Sequence, residues 1–375
     1  MRKSNILFSI AFLGIIFGFF FIDIFTPDLK FSYSENRTLQ QKPELSWDTI
    51  KDGSFMEDME VYVNDQIKFR DDFVKISTYF KLALGQNEIN NVYICDDYLI
   101  EKFVDKDIDV DLLNSNIGFV NTFLSKYPNS HIGLIPTSTE ILGYKLSKYT
   151  TNVNQLELIN KIYGSNQNID IYSELLKHNQ EDIYYRTDHH WTSLGAYYGY
   201  VSICKELGIT PMELSEFDVS IIDDKFSGTI QSKVNLDFGY DVLHKYSPNS
   251  FSPTYTRVVD EMYQNSSDSL YDESKLNSKE KYAVYIGGNS SIVRIITENG
   301  KEDNGRLLLI KDSFSHSLVP FLTNHYSEIV LLDLRYFMGS IDMFLKGEKE
   351  PFDDMIVLYN LKNFIEDRNL IRLSK

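Results

Sequence analysis

Arg306-Leu307-Leu308-Leu309-Ile310-Lys311-Asp312-Ser313-Phe314-Ser315-His316-Ser317-Leu318-Val319-Pro320-Phe321-Leu322 is an apolar run that stops at Asp312-Ser313 and gives way to a helix-like pattern. Residues 307–310 show no polar/apolar alternation. That suits a parallel strand covered on both faces, and such strands present functional groups at their carboxyl ends. Ser313 stands at that end. If a helix starts just after it, the first free backbone N–H groups surround its hydroxyl and can stabilise an oxyanion, as in other strand-to-helix serine turns. Asp and Ser are also favoured helix caps, so the stretch taken alone admits a purely structural reading.

What a serine nucleophile lacks occurs upstream, in Tyr184-Tyr185-Arg186-Thr187-Asp188-His189-His190-Trp191-Thr192. A serine hydroxyl needs an imidazole to take its proton, and the imidazole needs a carboxylate to fix its tautomer. Asp188 and His190 are two apart, so an extended or turning backbone can bring both to one side, with His189 pointing away as a structural or substrate-contacting residue. Ser313 is then the expected nucleophile, His190 the base and Asp188 its orienter. Trp191 either locks this turn by packing or offers a platform to substrate. Asp188, His189 and His190 are also metal-ligand types. Adjacent histidines rarely converge on one ion without further ligands, however, and His131, His178, His244 and His325 show no zinc-helix pairing, so no metal is expected.

Asp188-His189-His190-Trp191 followed much later by Asp312-Ser313 resembles the bacterial DHHW proteins, which are similar to the alginate O-acetylation proteins and, more distantly, to SGNH/GDSL hydrolases. The likeness covers most of the chain: an amino-terminal anchor, Ser34-Glu35-Asn36-Arg37 soon after it, the four-residue block, and Lys311-Asp312-Ser313. It implies Asp188, His190 and Ser313 as a triad, and acetyl transfer to, or removal from, a cell-surface glycan. It implies no bound cofactor: the acetyl group comes from a membrane-bound O-acyltransferase partner or a small-molecule ester. Two features depart from the relatives. Alginate-type proteins commonly read Asp-Thr-His-Trp, which fits His190 as the base and makes His189 replaceable. SGNH proteins usually carry Gly where this chain has Lys311. With the same triad the protein would be an O-acetyltransferase if a sugar hydroxyl resolves the acyl-serine, or an esterase if water does; a non-catalytic glycan-binding protein is the third reading.

The chain has 375 residues, 43% hydrophobic and 14% aromatic, enough for a large core. Its net charge of −17 leaves no basic stripe for phosphates, which excludes a nucleic-acid partner and suits a solvated domain outside the membrane. Residues 6–22 carry no charge and follow Arg2 and Lys3. No small-x-small cleavage site follows, so the run is expected to be an uncleaved, single-pass signal anchor with the remaining chain extracytoplasmic; a cleaved signal peptide is the rival. Cys95 and Cys204 make neither a disulfide framework nor a zinc pattern.

Residues 1–25 thus read as tip and anchor, 26–53 as a polar stalk, and 54–375 as an SGNH-hydrolase-like three-layer α/β domain with a mainly parallel sheet. Within the last, 54–69 is expected to be helical with Asp65, Gln66, Arg70 and Asp71 on a solvated or salt-bridged face, and residues 92–94 and 98–100 to form a hairpin. Helices are expected over 112–127, 155–163 and 192–207, with Thr192 capping the last, and strands over 131–135, 169–172, 329–332 and 355–358. Periodicity fails over 208–280, which reads as a loop-rich insertion in which Tyr246, Tyr255, Tyr263 and Tyr271 could stack on sugars. Residues 282–286 and 292–296 are expected to form a hairpin leading to the nucleophile strand. Parallel-strand ends would bring Arg335, as an anion or oxyanion partner, and Asn360, as an oxyanion donor, to the edge that carries Ser313. The alternative for Arg335 is an ion pair with Asp333. Tyr185 and Arg186 join them as possible substrate contacts, while His316 is expected to be a surface or packing residue.

Overall fold

The computed structural model describes residues 2–32, 37–298 and 305–374. Two compact units result, Met1–Asn90 with Gln231–Phe238, and Asn91–Ile230 with Gly239–Lys375. The division therefore falls at Asn90, not at the end of the expected stalk.

In the smaller unit, α1 (Arg2–Phe25) is an uninterrupted apolar helix. Its stretch Asn5–Phe25, with a mean hydropathy of 2.4, is long and apolar enough to cross a membrane. The stalk residues are not a bare spacer. They form an antiparallel pair, β1 (Phe31–Ser32) with β2 (Arg37–Thr38), and a short helix, α2 (Trp47–Lys51), capped by the Ser46 hydroxyl. Then come α3 (Ser54–Gln66), α4 (Arg70–Ala83) and β3 (Glu88–Ile89). Asp65 does not lie on a solvated face. It is buried, receives Arg37 on both carboxylate oxygens at 2.9 and 2.5 Å, and accepts the Gln40 N–H at 2.8 Å. Arg37 ends the Ser-Glu-Asn-Arg motif; Ser34, Glu35 and Asn36 lie outside the described residues.

In the larger unit β4 (Val92–Ile94) and β5 (Leu99–Glu101) form the expected hairpin. The chain continues through α5 (Val110–Lys126), β6 (Ser130–Ile135), α6 (Ser138–Ile141), α7 (Gln155–Tyr163), β7 (Asn168–Ile169), α8 (Ile171–Lys177) and α9 (Ser193–Glu206). Next come β8 (Phe217–Phe226), α10 (Thr229–Val234), which passes into the smaller unit at Gln231, then β9 (Asp241–Pro248), β10 (Thr254–Val259), β11 (Met262–Ser267) and β12 (Ile292–Glu298). The last elements are β13 (Arg306–Lys311), α11 (Val319–Leu322), β14 (Glu328–Leu332), α12 (Ile341–Gly347), β15 (Asp354–Asn360) and α13 (Leu361–Glu366).

Eight strands make one sheet in the order β11-β10-β12-β14-β13-β15-β6-β7. β14, β13, β15, β6 and β7 run parallel, while β12, β10 and β11 extend one edge antiparallel. Successive side chains of a strand point to opposite faces. Leu307, Leu309, Ile329, Leu331, Ile356 and Leu358 accordingly enter a core shared with Ile171 and Leu175 of α8 and Ala196, Tyr200 and Ile203 of α9. Leu308, Ile310, Val330, Leu332, Met355 and Val357 enter a second core with Val120 and Phe123 of α5, Ile159 of α7 and Phe364 of α13. Two covered faces explain the missing polar alternation in β13, and the result is a three-layer α/β unit.

Three local expectations are corrected. Residues 208–280 are not mainly loop: β8 pairs with β9, and β10 and β11 join the main sheet. Their side chains are half-exposed and mixed in polarity, so the period-2 signal is weak. Residues 281–284 form a 3-10 turn, not a strand, so β12 has no hairpin partner immediately before it. Ile171 and Tyr172 open α8, where Asp170 accepts the Ser173 N–H as a cap and ends the short β7. Cys95 and Cys204 are both free thiols.

Thr192 caps α9 as expected, its hydroxyl accepting the Gly195 N–H at 3.2 Å. The helix can sit so close to the preceding turn because it carries glycines there. A Cβ on Gly199 would fall 2.6 Å from the Trp191 ring. Gly199→Ala is therefore expected to lower the unfolding free energy by about 1–3 kcal/mol through overpacking, read as a lower denaturant midpoint with unchanged slope.

Candidate active site

The segment carrying Asp188 and His190 is closed on itself. Tyr184 and Trp191 form an antiparallel bridge, the Tyr185 N–H donates to the His190 carbonyl at 3.2 Å, and the Thr192 N–H donates to the Ile183 carbonyl at 3.0 Å. At the tip of this loop Asp188 Oδ1 lies 2.6 Å from His190 Nδ1 and accepts the His190 backbone N–H at 3.0 Å. On the far side of the ring His190 Nε2 lies 2.8 Å from Ser313 Oγ. The three expected residues thus form one hydrogen-bonded chain.

Ser313 opens a 3-10 turn, Ser313–Ser317, where the sequence pattern suggested the start of a helix. Asp312 is its cap, accepting the Phe314 N–H at 2.9 Å on one oxygen, and the Asn360 N–H at 2.8 Å and the Asn363 amide at 2.7 Å on the other. The cap falls to Asp312, and Ser313 faces the imidazole. The Ser313 N–H has no hydrogen-bond partner among the described residues, which leaves it available to an oxyanion.

Burial alone would raise the Asp188 pKa, but charge on His189 and His190 and the hydrogen bonds from His190 and the Thr229 N–H hold it well below the usual carboxylate range. His190 moves down from 6.5 to about 4, first through burial and then through His189, against the pull of Asp188. An ionised carboxylate beside a neutral imidazole is the resting state a general base requires. Asp188, His189 and His190 also offer ligand atoms within 4.8 Å of one another. An ion held there would compete with the bonds His190 makes to Asp188 and Ser313.

A family model described as DHHW protein matches residues 130–332, which span both halves of this hydrogen-bonded chain. The chain belongs to the DHHW protein family. A DHHW family protein from Eubacterium siraeum has a similar structure, with a TM-score of 0.63 and 25% identity over 76% of this chain and 96% of that one. PatB1 from Bacillus cereus, solved with a sulfonyl adduct, matches with a TM-score of 0.60 and 20% identity over 76% of this chain and 98% of that one, a likeness of fold. None of the curated proteins compared matches the sequence.

Around the DHHW block, the rest of the chain supplies partners that no motif announced. Thr229, at the start of α10, donates its N–H and hydroxyl to Asp188 Oδ2 at 2.8 and 3.0 Å. The approach requires a residue without a side chain just before it, since a Cβ on Gly228 would fall 2.3 Å from Asp188 Cβ. Asp241 accepts the Arg186 and Thr187 N–H groups at 2.9 and 2.8 Å and fixes the loop from outside. Tyr282 stacks on the His190 ring, with centroids 3.8 Å apart and planes within 11°, and its hydroxyl lies 3.1 Å from Ser317 Oγ. Only the stretch's apolar character was visible in the sequence, and it suggested a strand.

The other candidates take structural places. Trp191 is fully buried and donates its indole N–H to the Phe314 carbonyl at 2.8 Å, tying the DHHW block to the Ser313 turn as a packing residue. His189 does not point fully away: its ring lies 4.0 Å from that of His190, and its Nδ1 is 2.8 Å from the Thr229 hydroxyl. Tyr185 is buried against Phe226 and Tyr282, and so is removed from any substrate. Arg186 is turned to Asp182 and the Tyr98 ring. Asn360 donates from its amide to the Ile135 carbonyl at 3.1 Å and caps the Lys362 N–H with its amide oxygen at 3.1 Å. Tyr246, Tyr255 and Tyr271 pack against the core instead of standing free on a loop, and the Tyr263 side chain is outside the described set.

Arg335 follows the ion-pair alternative, donating to both Asp333 oxygens at 2.9 and 2.7 Å. Asp333 also holds the fully buried Lys311, 3.2 Å away. His316 is not a surface residue: it is buried, and its Nε2 accepts from Lys311 Nζ at 2.7 Å. A ring nitrogen that accepts from an ammonium must be unprotonated, and burial and the Lys311 charge both push the His316 pKa well down.

The imidazole titration can be read directly by NMR. His190 is expected to stay neutral from pH 8 to 6 and titrate near 4. Because this lies below the ordinary 6.5, an unfolded chain binds the proton first, so the stability due to this group is lost as pH falls from 6.5 toward 4. Asp188→Asn removes the charge that raises the value and should lower it further.

Proposed function

We propose that this DHHW protein is a membrane-anchored serine O-acetyltransferase that acts on a cell-surface or extracellular polysaccharide. The observation that carries the reading is the Asp188–His190–Ser313 chain, with 2.6 and 2.8 Å links and an ionised carboxylate next to a neutral imidazole. Ser313 Oγ attacks the acetyl carbonyl carbon while its proton passes to His190 Nε2. Asp188 accepts the His190 Nδ1 proton in a hydrogen bond and stabilises the imidazolium as it forms. The Ser313 N–H contributes to the oxyanion site. The leaving group takes the proton from His190, and the acetyl group remains on Ser313. A sugar hydroxyl then attacks the acyl-serine, giving its proton to His190 and restoring Ser313 as the new ester leaves.

The resemblance to alginate-type proteins favours transfer over hydrolysis, and supports a membrane-bound O-acyltransferase as the supplier of acetyl. The apolar length of α1 and the positive residues before it support a retained anchor with the larger unit outside the cytoplasm. No cofactor of the protein's own enters these steps.

The test is mass spectrometry of the protein incubated with p-nitrophenyl acetate. One acetyl group is expected on Ser313 and none in Ser313→Ala. A folded wild-type protein that neither acquires acetyl nor turns the ester over would sink the reading in favour of a glycan binder. Asp188→Asn should cut ester turnover about 10³- to 10⁴-fold, as loss of a triad carboxylate does elsewhere. Added polysaccharide should divert acetyl from water to sugar hydroxyls, and continued release of free acetate alone would make the protein an esterase.

Tyr282 acts as a positioning residue by fixing the imidazole plane and facing the imidazolium with its ring. Tyr282→Leu should lower kcat roughly twofold to thirtyfold, the worth of about 0.5–2 kcal/mol of ring–cation contact. Tyr282→Phe keeps the ring and should retain most of the activity, an outcome that a purely structural role for the hydroxyl would not give.

A further inference from the structure

Helix α4 carries an exposed apolar stripe at helical spacing. Phe69, Phe73, Ile76, Phe80 and Leu84 recur at intervals of three or four and are 49%, 48%, 64%, 65% and 71% exposed. The opposite side of the helix is the packed one. Thr78 there is buried and donates to the Val234 carbonyl at 3.2 Å, and Asn235 donates to the Asp71 carbonyl at 3.0 Å. So broad an apolar stripe on the outer face of a well-seated helix marks an interaction surface.

The same unit indicates what covers it. The Lys68 N–H donates to Asp23 Oδ1 at 2.8 Å, and the Phe73 ring lies 5.7 Å from that of Phe19. The start of α4 thus packs on the last two turns of α1. Phe19 stands well inside the apolar stretch Asn5–Phe25, six residues before its end, about 9 Å along the helix axis. A bilayer that surrounds α1 at the level of Phe19 surrounds Phe73 as well, and the rest of the stripe continues from there.

We propose that α4 is a second membrane-contacting element, an amphipathic helix whose Phe69–Phe73–Ile76–Phe80–Leu84 face lies in the lipid next to the anchor, so that the smaller unit is held by two elements. The partner is the bilayer itself. Lys81 and Arg70 flank the stripe and can reach the headgroup level while their stems stay in apolar surroundings. The proposal rests on α1 being a retained anchor, and the experiment tests the two separately.

Full-length protein, with Cys95→Ser and Cys204→Ser to remove native thiols, is reconstituted into vesicles of phosphatidylcholine and phosphatidylglycerol. An environment-sensitive fluorophore is attached at Ile76→Cys, at Leu13→Cys in α1, or at Asp58→Cys on the exposed polar side of α3. Lipids bearing a nitroxide at a shallow acyl carbon serve as quenchers for Ile76, and lipids bearing it at a deep acyl carbon for Leu13, both sets being applied at every position. The expected result is a shift to shorter wavelength and loss of intensity at both Ile76 and Leu13, with Asp58 unaffected. Quenching at Leu13 with a solvent-like, unquenched signal at Ile76 would overturn the proposal and leave the anchor standing. A blue-shifted but unquenched signal at Ile76 would also overturn it, because protein would then be covering the stripe. No quenching at Leu13 would overturn the anchor reading and the proposal with it.

Discussion

A carboxylate as buried as Asp188 stays ionised only while its lone pairs are filled, and much of the larger unit is arranged to fill them. Oδ1 takes the imidazole and the backbone N–H of His190, and Oδ2 takes the N–H and hydroxyl of Thr229. Leaving any of these unmade would cost a full desolvation penalty with no return, so the constraint propagates outward. Gly228 must lack a side chain, Asp241 must hold the Arg186–Thr187 backbone, and Trp191 must bind the loop to the Ser313 turn. Only then does the imidazole meet the serine at hydrogen-bond distance.

A second buried ionic group lies in the strand that carries the serine. Lys311 ends β13, and its side chain is spent on Asp333 and His316. Arg335 closes the group from the exposed side. Two cations share one carboxylate, so His316 remains neutral, and burial lowers the pKa of Lys311 itself. The Lys311 ammonium is turned to Asp333 and His316, away from the bond between His190 and Ser313.

The sequence made most of the parallel sheet legible because strands covered on both faces are written as unbroken apolar runs, as in β13, β14 and β15. Ser313, His190 and Asp188 were legible because their chemistry depends on residue type and on a two-residue spacing. Thr229, Gly228 and Tyr282 were not, since each acts through a tertiary approach that leaves no periodic trace. Arg335 and Asn360 were placed at the correct sheet edge, but position along a strand does not disclose which neighbour a side chain will choose. Asp65 takes the salt-bridged of its two expected alternatives, and the sequence did not show that its partner would be Arg37, 28 residues away.

The hydrogen bonds that make the site join Thr229 to Asp188 over 41 residues and Ser313 to His190 over 123. Contacts of such separation close large loops, whose entropy must be met before the contacts stabilise anything. The strand that leads to Ser313 is also centred in the sheet, between β14 and β15, both of which follow it in the chain. A partly folded chain therefore holds Ser313 away from its imidazole, and the hydrogen-bonded chain exists only once segments far apart in sequence have closed on one another.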